Sequence, residues 1–170
     1  MNQVNTLLRF FKTIAPSIKM IAIVFICLFF ISTTTAQFVP AEQSLQKTNV
    51  LINQTFGDSI ELLHLSVNSN YQSVKKDGKI IGYSCIEEAK SKHDRFEFVV
   101  LYDAAINILE VKVLLYREDY GYEIKSKRWL KQFSTREVRK VQAISGATIS
   151  VNSLKSAVKH LSKKMKEFVL

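Results

Sequence analysis

The feature that most constrains this chain is a pair of apolar runs, Arg95 to Tyr102 and Ile106 to Tyr116, separated only by Asp103-Ala104-Ala105. Both runs are dense in Phe, Val, Ile, Leu and Tyr, residues that suit a pleated, half-buried surface, and their connection has hairpin length. Upstream, Ile80 to Ile86 follows the turn signal Asp77-Gly78 and reads as a further strand. Alternation in the second long run puts Asn107, Leu109, Val111, Val113 and Leu115 on the core face and Ile108, Glu110, Lys112 and Leu114 on the other. An antiparallel sheet is therefore expected between Lys79 and Tyr116.

Helical spacing brackets that sheet. Leu45, Val50 and Leu51 predict a helix over Ala41 to Thr55, ending near Gly57, while Ile60 to Val67 is apolar but of undefined type. After Arg117 to Gly121 the strand pattern is broken, and Tyr122 to Phe133 predicts a short helix or turn bearing Trp129, Leu130 and Phe133. The final segment repeats Val151, Leu154, Val158, Leu161, Met165 and Phe168 in steps of three and four. Lys155, Lys159, Lys163, Lys164 and Lys166 fall on its other faces and read as a solvated surface. The fold class is α+β: an antiparallel sheet packed by a C-terminal helix, with a second helix near the start of the domain. At 170 residues there is room for one hydrophobic core.

The first residues follow a different logic. Met1 to Lys19 carry basic charge and no acid, Met20 to Ile31 are apolar, and Ser32 to Ala36 are small or hydroxylated. That order is a secretory signal, with Thr34 and Ala36 setting a cut before Gln37; an uncleaved anchor over Met20 to Phe38 is the competing reading. Residues 1–36 are thus expected as a signal peptide or anchor, residues 37–170 as the domain, exported to the periplasm or the outer face of the cytoplasmic membrane. A lipoprotein is not expected, because Val24-Phe25-Ile26 before Cys27 lacks the small residues that lipid attachment normally requires.

Composition narrows the chemistry. Cys27 lies in the leader, so Cys85 is the domain's single thiol, and neither an internal disulfide nor a cysteine metal centre can form. His64, His93 and His160 show no ligand spacing, and there is no metal site to propose. Three of the 24 basic residues, Arg9, Lys12 and Lys19, belong to the leader, so the net charge of +9 overstates the domain's moderate excess. No aromatic interleaving or nucleic-acid motif accompanies that charge, and nucleic acid is not an expected partner. Without a thiol pair or a metal-ligand set, any redox chemistry would come from an organic cofactor, and no paired carboxylates or Ser/His/Asp or Cys/His set argues for hydrolysis.

Just before the last helix stands Val141-Gln142-Ala143-Ile144-Ser145-Gly146-Ala147-Thr148-Ile149-Ser150. A hydroxyl at a helix start can simply cap it, and Ser145, Thr148 or Ser150 could serve so. The same place also suits a phosphate, which unpaired N–H groups and the helix dipole stabilise. Gly146 allows close backbone approach, Ala147 keeps the site open and Ser145 adds a donor.

The run Ser145-Gly146-Ala147-Thr148 resembles the motif of the FMN-binding domain family of exported electron carriers, which includes the C and G subunits of sodium-pumping NADH:quinone reductase and Rnf complexes. The resemblance covers roughly Lys79 to the C-terminus. It implies FMN joined to Thr148 by a phosphoester bond, with Ser145, Gly146, Ala147 and Ile149 around it. Tyr116 to Glu123, with Trp129 to Phe133, is similar to the family's glycine-containing turn and aromatic segment, which implies that Gly121 and one or more of Tyr120, Tyr122 and Trp129 lie near the isoalloxazine ring; as large aromatics these three could equally be ordinary core or rim residues. The family usually has Asp three residues before the Ser, where this chain has Gln142. Maturation by a separate Mg-dependent flavin transferase is implied, as are membrane-associated redox partners and a role as electron carrier or oxidoreductase subunit rather than stand-alone enzyme. The alternative is a non-redox envelope module that binds anionic surfaces through its lysine-rich helix.

Overall fold

The computed structural model describes residues 38–65 and 70–169. The expected leader, its cleavage after Ala36, and the end of the Ile60 to Val67 segment lie outside the described residues. Among those described, no helix is long and apolar enough to cross a membrane.

The chain runs α1 (Glu42–Phe56), β1 (Glu61–His64), β2 (Tyr71–Lys76), β3 (Lys79–Lys90), β4 (Arg95–Asp103) and β5 (Ile108–Leu115). A 3-10 turn (Tyr122–Lys125), α2 (Lys127–Leu130), α3 (Gln132–Thr135), a second 3-10 turn (Val138–Lys140) and α4 (Thr148–Val169) follow. The five strands form one antiparallel meander in sequence order. The expected α+β fold is present, with the sheet starting earlier than anticipated. The sequence reading left the segment of β1 undefined and missed β2, because Tyr71-Gln72-Ser73-Val74-Lys75-Lys76 has only two apolar residues, as suits a strand near a sheet edge. Asp77 and Gly78 both have positive φ, 51° and 75°, the signature of the hairpin turn that matches strand twist.

Both faces of the sheet are covered, which is why β4 reads as an almost unbroken apolar run. Tyr83, Cys85, Phe96, Phe98, Val100, Tyr102, Val111 and Val113 pack with α4 and the segment around Trp129 and Phe133. Val74, Ile86, Val99, Leu101 and Leu114 face Leu51 and Ile52 of α1. Glu97, buried on the α1 side, accepts the Ala41 N–H at the helix entry and pairs with Arg117 at 2.9 Å.

Three details correct the sequence reading. In β5 the pairing skips at Leu109 and Leu114, so Ile108 joins Val111 and Val113 on one face, Leu109 turns outward and Leu114 is buried on the opposite face. An extra residue on one strand of a pair inverts the alternation beyond it, and sequence alone does not locate such bulges. Val50 is exposed on α1, and Phe168 is half exposed at the end of α4. The lysines of α4 are not a uniform solvated face: Lys155 donates to the carbonyls of Arg139 and Val141, and Lys164 donates to Tyr71 Oη while lying over its ring. Burial pushes the Cys85 thiol well above its ordinary value, leaving it a protonated core group.

Candidate functional site

The site forms where the chain leaving β5 meets the entry to α4. Gly121 adopts a left-handed conformation with φ of 73°, and a Cβ there would lie 2.9 Å from the Ala147 methyl. Close packing of these two small residues therefore joins segments that are distant in sequence. Tyr116 makes a second tie through a 3.0 Å hydrogen bond between its hydroxyl and Ser150 Oγ.

Gly146, with φ of 79°, turns the chain into the helix, and the Ala147 carbonyl accepts the Val151 N–H at 2.9 Å. Ala147 thus occupies the cap position and carries no side-chain oxygen with which to cap. The hydroxyls weighed for that task stand elsewhere: Ser150 is buried against Tyr116, whereas Ser145 and Thr148 are exposed. Thr148 opens a helix of 22 residues, so its own N–H and the next two have no acceptor one turn back. These groups leave partial positive charge beside an accessible hydroxyl, an arrangement that stabilises an anion by about 0.3–1 kcal/mol at the surface.

A pocket of about 200 Å³ opens here, with Thr148, Ile149, Gly146 and Ala147 on one side and Tyr116, Glu118 and Tyr120 on the other. Lys92 reaches the same pocket from the turn after β3. Glu118 is buried and holds that turn: its Oε1 accepts from Ser91 Oγ at 2.5 Å, His93 N at 2.6 Å and Asp94 N at 3.0 Å. The Ser91 hydroxyl first, and then the His93 amide, hold the Glu118 carboxyl below the ordinary glutamate range. Among the described residues no group of three or more His, Cys, Asp or Glu is disposed to hold a metal.

Of the residues singled out from sequence, the fold brings Tyr120, Gly146, Ala147, Thr148 and Ile149 to this pocket, with Gly121 packed behind Ala147. Ser145 is exposed beside it in the turn. Tyr122 lies outside the lining, edge-on to Tyr116 at 6.2 Å. Trp129 is buried in the core, with its ring 5.5 Å from Phe133, and its Nε1 donates to the Gln142 carbonyl at 2.9 Å. Through that bond it steadies the approach to the motif rather than lining the pocket. Tyr116, Glu118, Ser150 and Lys92 are lining residues that the sequence reading did not assign. Tyr116 and Glu118 fell within the stretch resembling the glycine-containing turn, but nothing local marks Lys92, which only the Glu118 clamp brings near.

Residues 91–163 match the FMN-binding domain family. The matched segment begins at Ser91, on the clamp, and includes Glu118, Gly121 and the whole run from Ser145 to Thr148. The match supports a flavin-binding protein with FMN as its ligand. No curated protein matches the chain. Structurally the FMN-binding domain does not stand alone: β4 and β5 lie inside the match, whereas α1 and β1 to β3, which complete the sheet and cover one face, precede it.

Proposed function

We propose that this chain carries FMN covalently, with the phosphate esterified to Thr148 Oγ1, and relays electrons between membrane-associated partners outside the cytoplasm. The observation that carries the reading is the position of Thr148: exposed, first in the helix, lining a pocket, and preceded by a cap residue that has no hydroxyl. The surroundings fit a phosphate monoanion bridged to a threonine. Free N–H groups of the first helical turn point its way, and Lys92 supplies a positive charge to the same pocket.

At about 200 Å³ the pocket is below the ~300–1,000 Å³ usual for ligand clefts, so it accommodates part of a flavin nucleotide and leaves the remainder accessible. Tyr116 and Tyr120 provide aromatic surface at its wall. When bound, FMN supplies one- and two-electron redox chemistry. The chain's own residues tether, orient and expose it. Thr148 is a tether, not a nucleophile in turnover. A reversible complex in an exported protein empties when free cofactor falls below the dissociation constant, and a covalent bond removes that dependence.

Export through the N-terminal segment, residues 37–170 as the mature domain, and maturation by a flavin transferase complete the proposal. Gln142 retains hydrogen-bonding capacity where the family has Asp; its main chain is engaged by Trp129 and by Gln132 Oε1 at 3.1 Å. The test is coexpression with a flavin transferase, followed by a denaturing gel viewed under ultraviolet light and by intact mass. A fluorescent wild-type band and a dark Thr148→Ala band are expected. A dark wild-type band with no flavin mass increment returns the non-redox envelope module as the better account.

A further inference from the structure

A larger cleft, of about 360 Å³, runs along the outer edge of the sheet, away from Thr148. One wall is the consecutive stretch from Leu109 to Val113, and the other is the helical turns from Lys125 to Ser134. Successive side chains of a strand point to opposite faces, so five in a row can border one cleft only along the strand's edge, where the main chain itself is presented. β5 is the last strand of the meander, and among the described residues no further strand pairs with its outward N–H and C=O groups.

The chemistry of the walls selects an occupant. Lys112, Lys125, Lys127 and Lys131 surround an apolar floor that includes Leu130, with Glu110 the single acid in the lining. Among the described residues, none of these lysines forms an ion pair. A second copy of this domain, which keeps a basic excess after Arg9, Lys12 and Lys19 of the leader are set aside, would be repelled.

We propose that this cleft docks an extended, acidic segment of a partner protein. The segment adds to the edge of β5 through main-chain hydrogen bonds, and its carboxylates meet the four lysines. Between cleft and flavin pocket stands Tyr122, with Lys125 Nζ 4.5 Å from its ring centre and Tyr116 edge-on at 6.2 Å. Lys125 of the cleft and Tyr116 of the smaller pocket thus share Tyr122 as a neighbour; that a docked partner exchanges electrons with the flavin rests on the function proposed above, whereas the docking does not.

The test uses the full-length chain and a fluorescein-labelled eight-residue peptide alternating glutamate and valine, followed by anisotropy at low and high salt. Saturable binding is expected, weakened at least about tenfold in the double variant Lys127→Gln/Lys131→Gln and strongly by salt. The peptide should also slow amide hydrogen exchange between Leu109 and Val113 in the wild type, a measurement that does not depend on any variant folding. Absence of saturable binding, or equal affinity in the double variant, overturns the proposal. Equal binding of a glutamate–proline peptide, which lacks alternate N–H groups, overturns strand addition. Capture of phosphatidylglycerol vesicles, but not of peptide, assigns the lysines to a membrane instead. Thr148→Ala should bind the peptide normally, so a failure of flavin attachment and a failure of docking give different results.

Discussion

The two faces of the sheet are packed in different ways, and the candidate site belongs to one of them. On the α4 face, Phe96, Phe98, Tyr102, Trp129 and Phe133 form a continuous aromatic-rich layer that reaches Ala147 and Val151 at the helix entry. Its buried polar groups are partnered, Tyr102 with Ser162 and Tyr116 with Ser150. On the α1 face the apolar cluster is smaller, and α1 buries the hydroxyls of Ser44 and Thr48 with no hydrogen-bond partner among the described residues. Polar ties supplement packing there: Lys47 Nζ donates to the Leu114 carbonyl at 2.7 Å, and Ala41 N–H to Glu97. A dense, satisfied layer holds a site in one geometry, whereas the opposite face mainly keeps the sheet dry.

The comparison breaks first at its cores. Leu154→Ala, on the fully buried stripe of α4, should cost about 2–5 kcal/mol in urea unfolding and reduce flavin loading. Ile52→Ala on the other face should cost a similar amount yet load normally where both variants are folded. Equal loss of loading in the two would show that the faces do not differ in supporting the site. Gly121→Ala comes next. It combines a positive φ with a collision against Ala147, and should lose about 1–3 kcal/mol together with loading. Gly78→Ala has a similar φ but open space around it, and should lose stability without affecting loading.

A smaller effect of opposite sign is expected on the α1 face, where Thr48→Val removes an unpartnered buried hydroxyl and should raise stability by about 1 kcal/mol. A destabilised variant in chemical denaturation would mean that the hydroxyl has a partner after all. The last effect concerns pH. The folded-state pKa of Glu118 lies below its ordinary value of 4.5, so its contribution is present above that value and fades as pH falls through the lower folded value. Wild-type unfolding midpoints should fall more steeply below pH 4.5 than those of Glu118→Gln, and parallel curves would remove the clamp from the account.

Local pattern sufficed for much of this. Helical periodicity located α1 and α4, with ends at Gly57 and Thr148, because three-and-four spacing is read within a few residues. Residue type marked β3, β4, β5 and the Asp77-Gly78 turn, and the run from Ser145 to Thr148 was visible as a short string at a helix start. The tertiary structure decided what depends on partners far along the chain. It set which face each β5 residue takes after two bulges, the contact of Gly121 with Ala147, and the Glu118 clamp that brings Lys92 to the pocket. It also put Trp129 in the core rather than at the pocket wall. Secondary structure follows from interactions between near neighbours, whereas a site is assembled by hydrogen bonds and packing whose partners only the folded chain brings within reach.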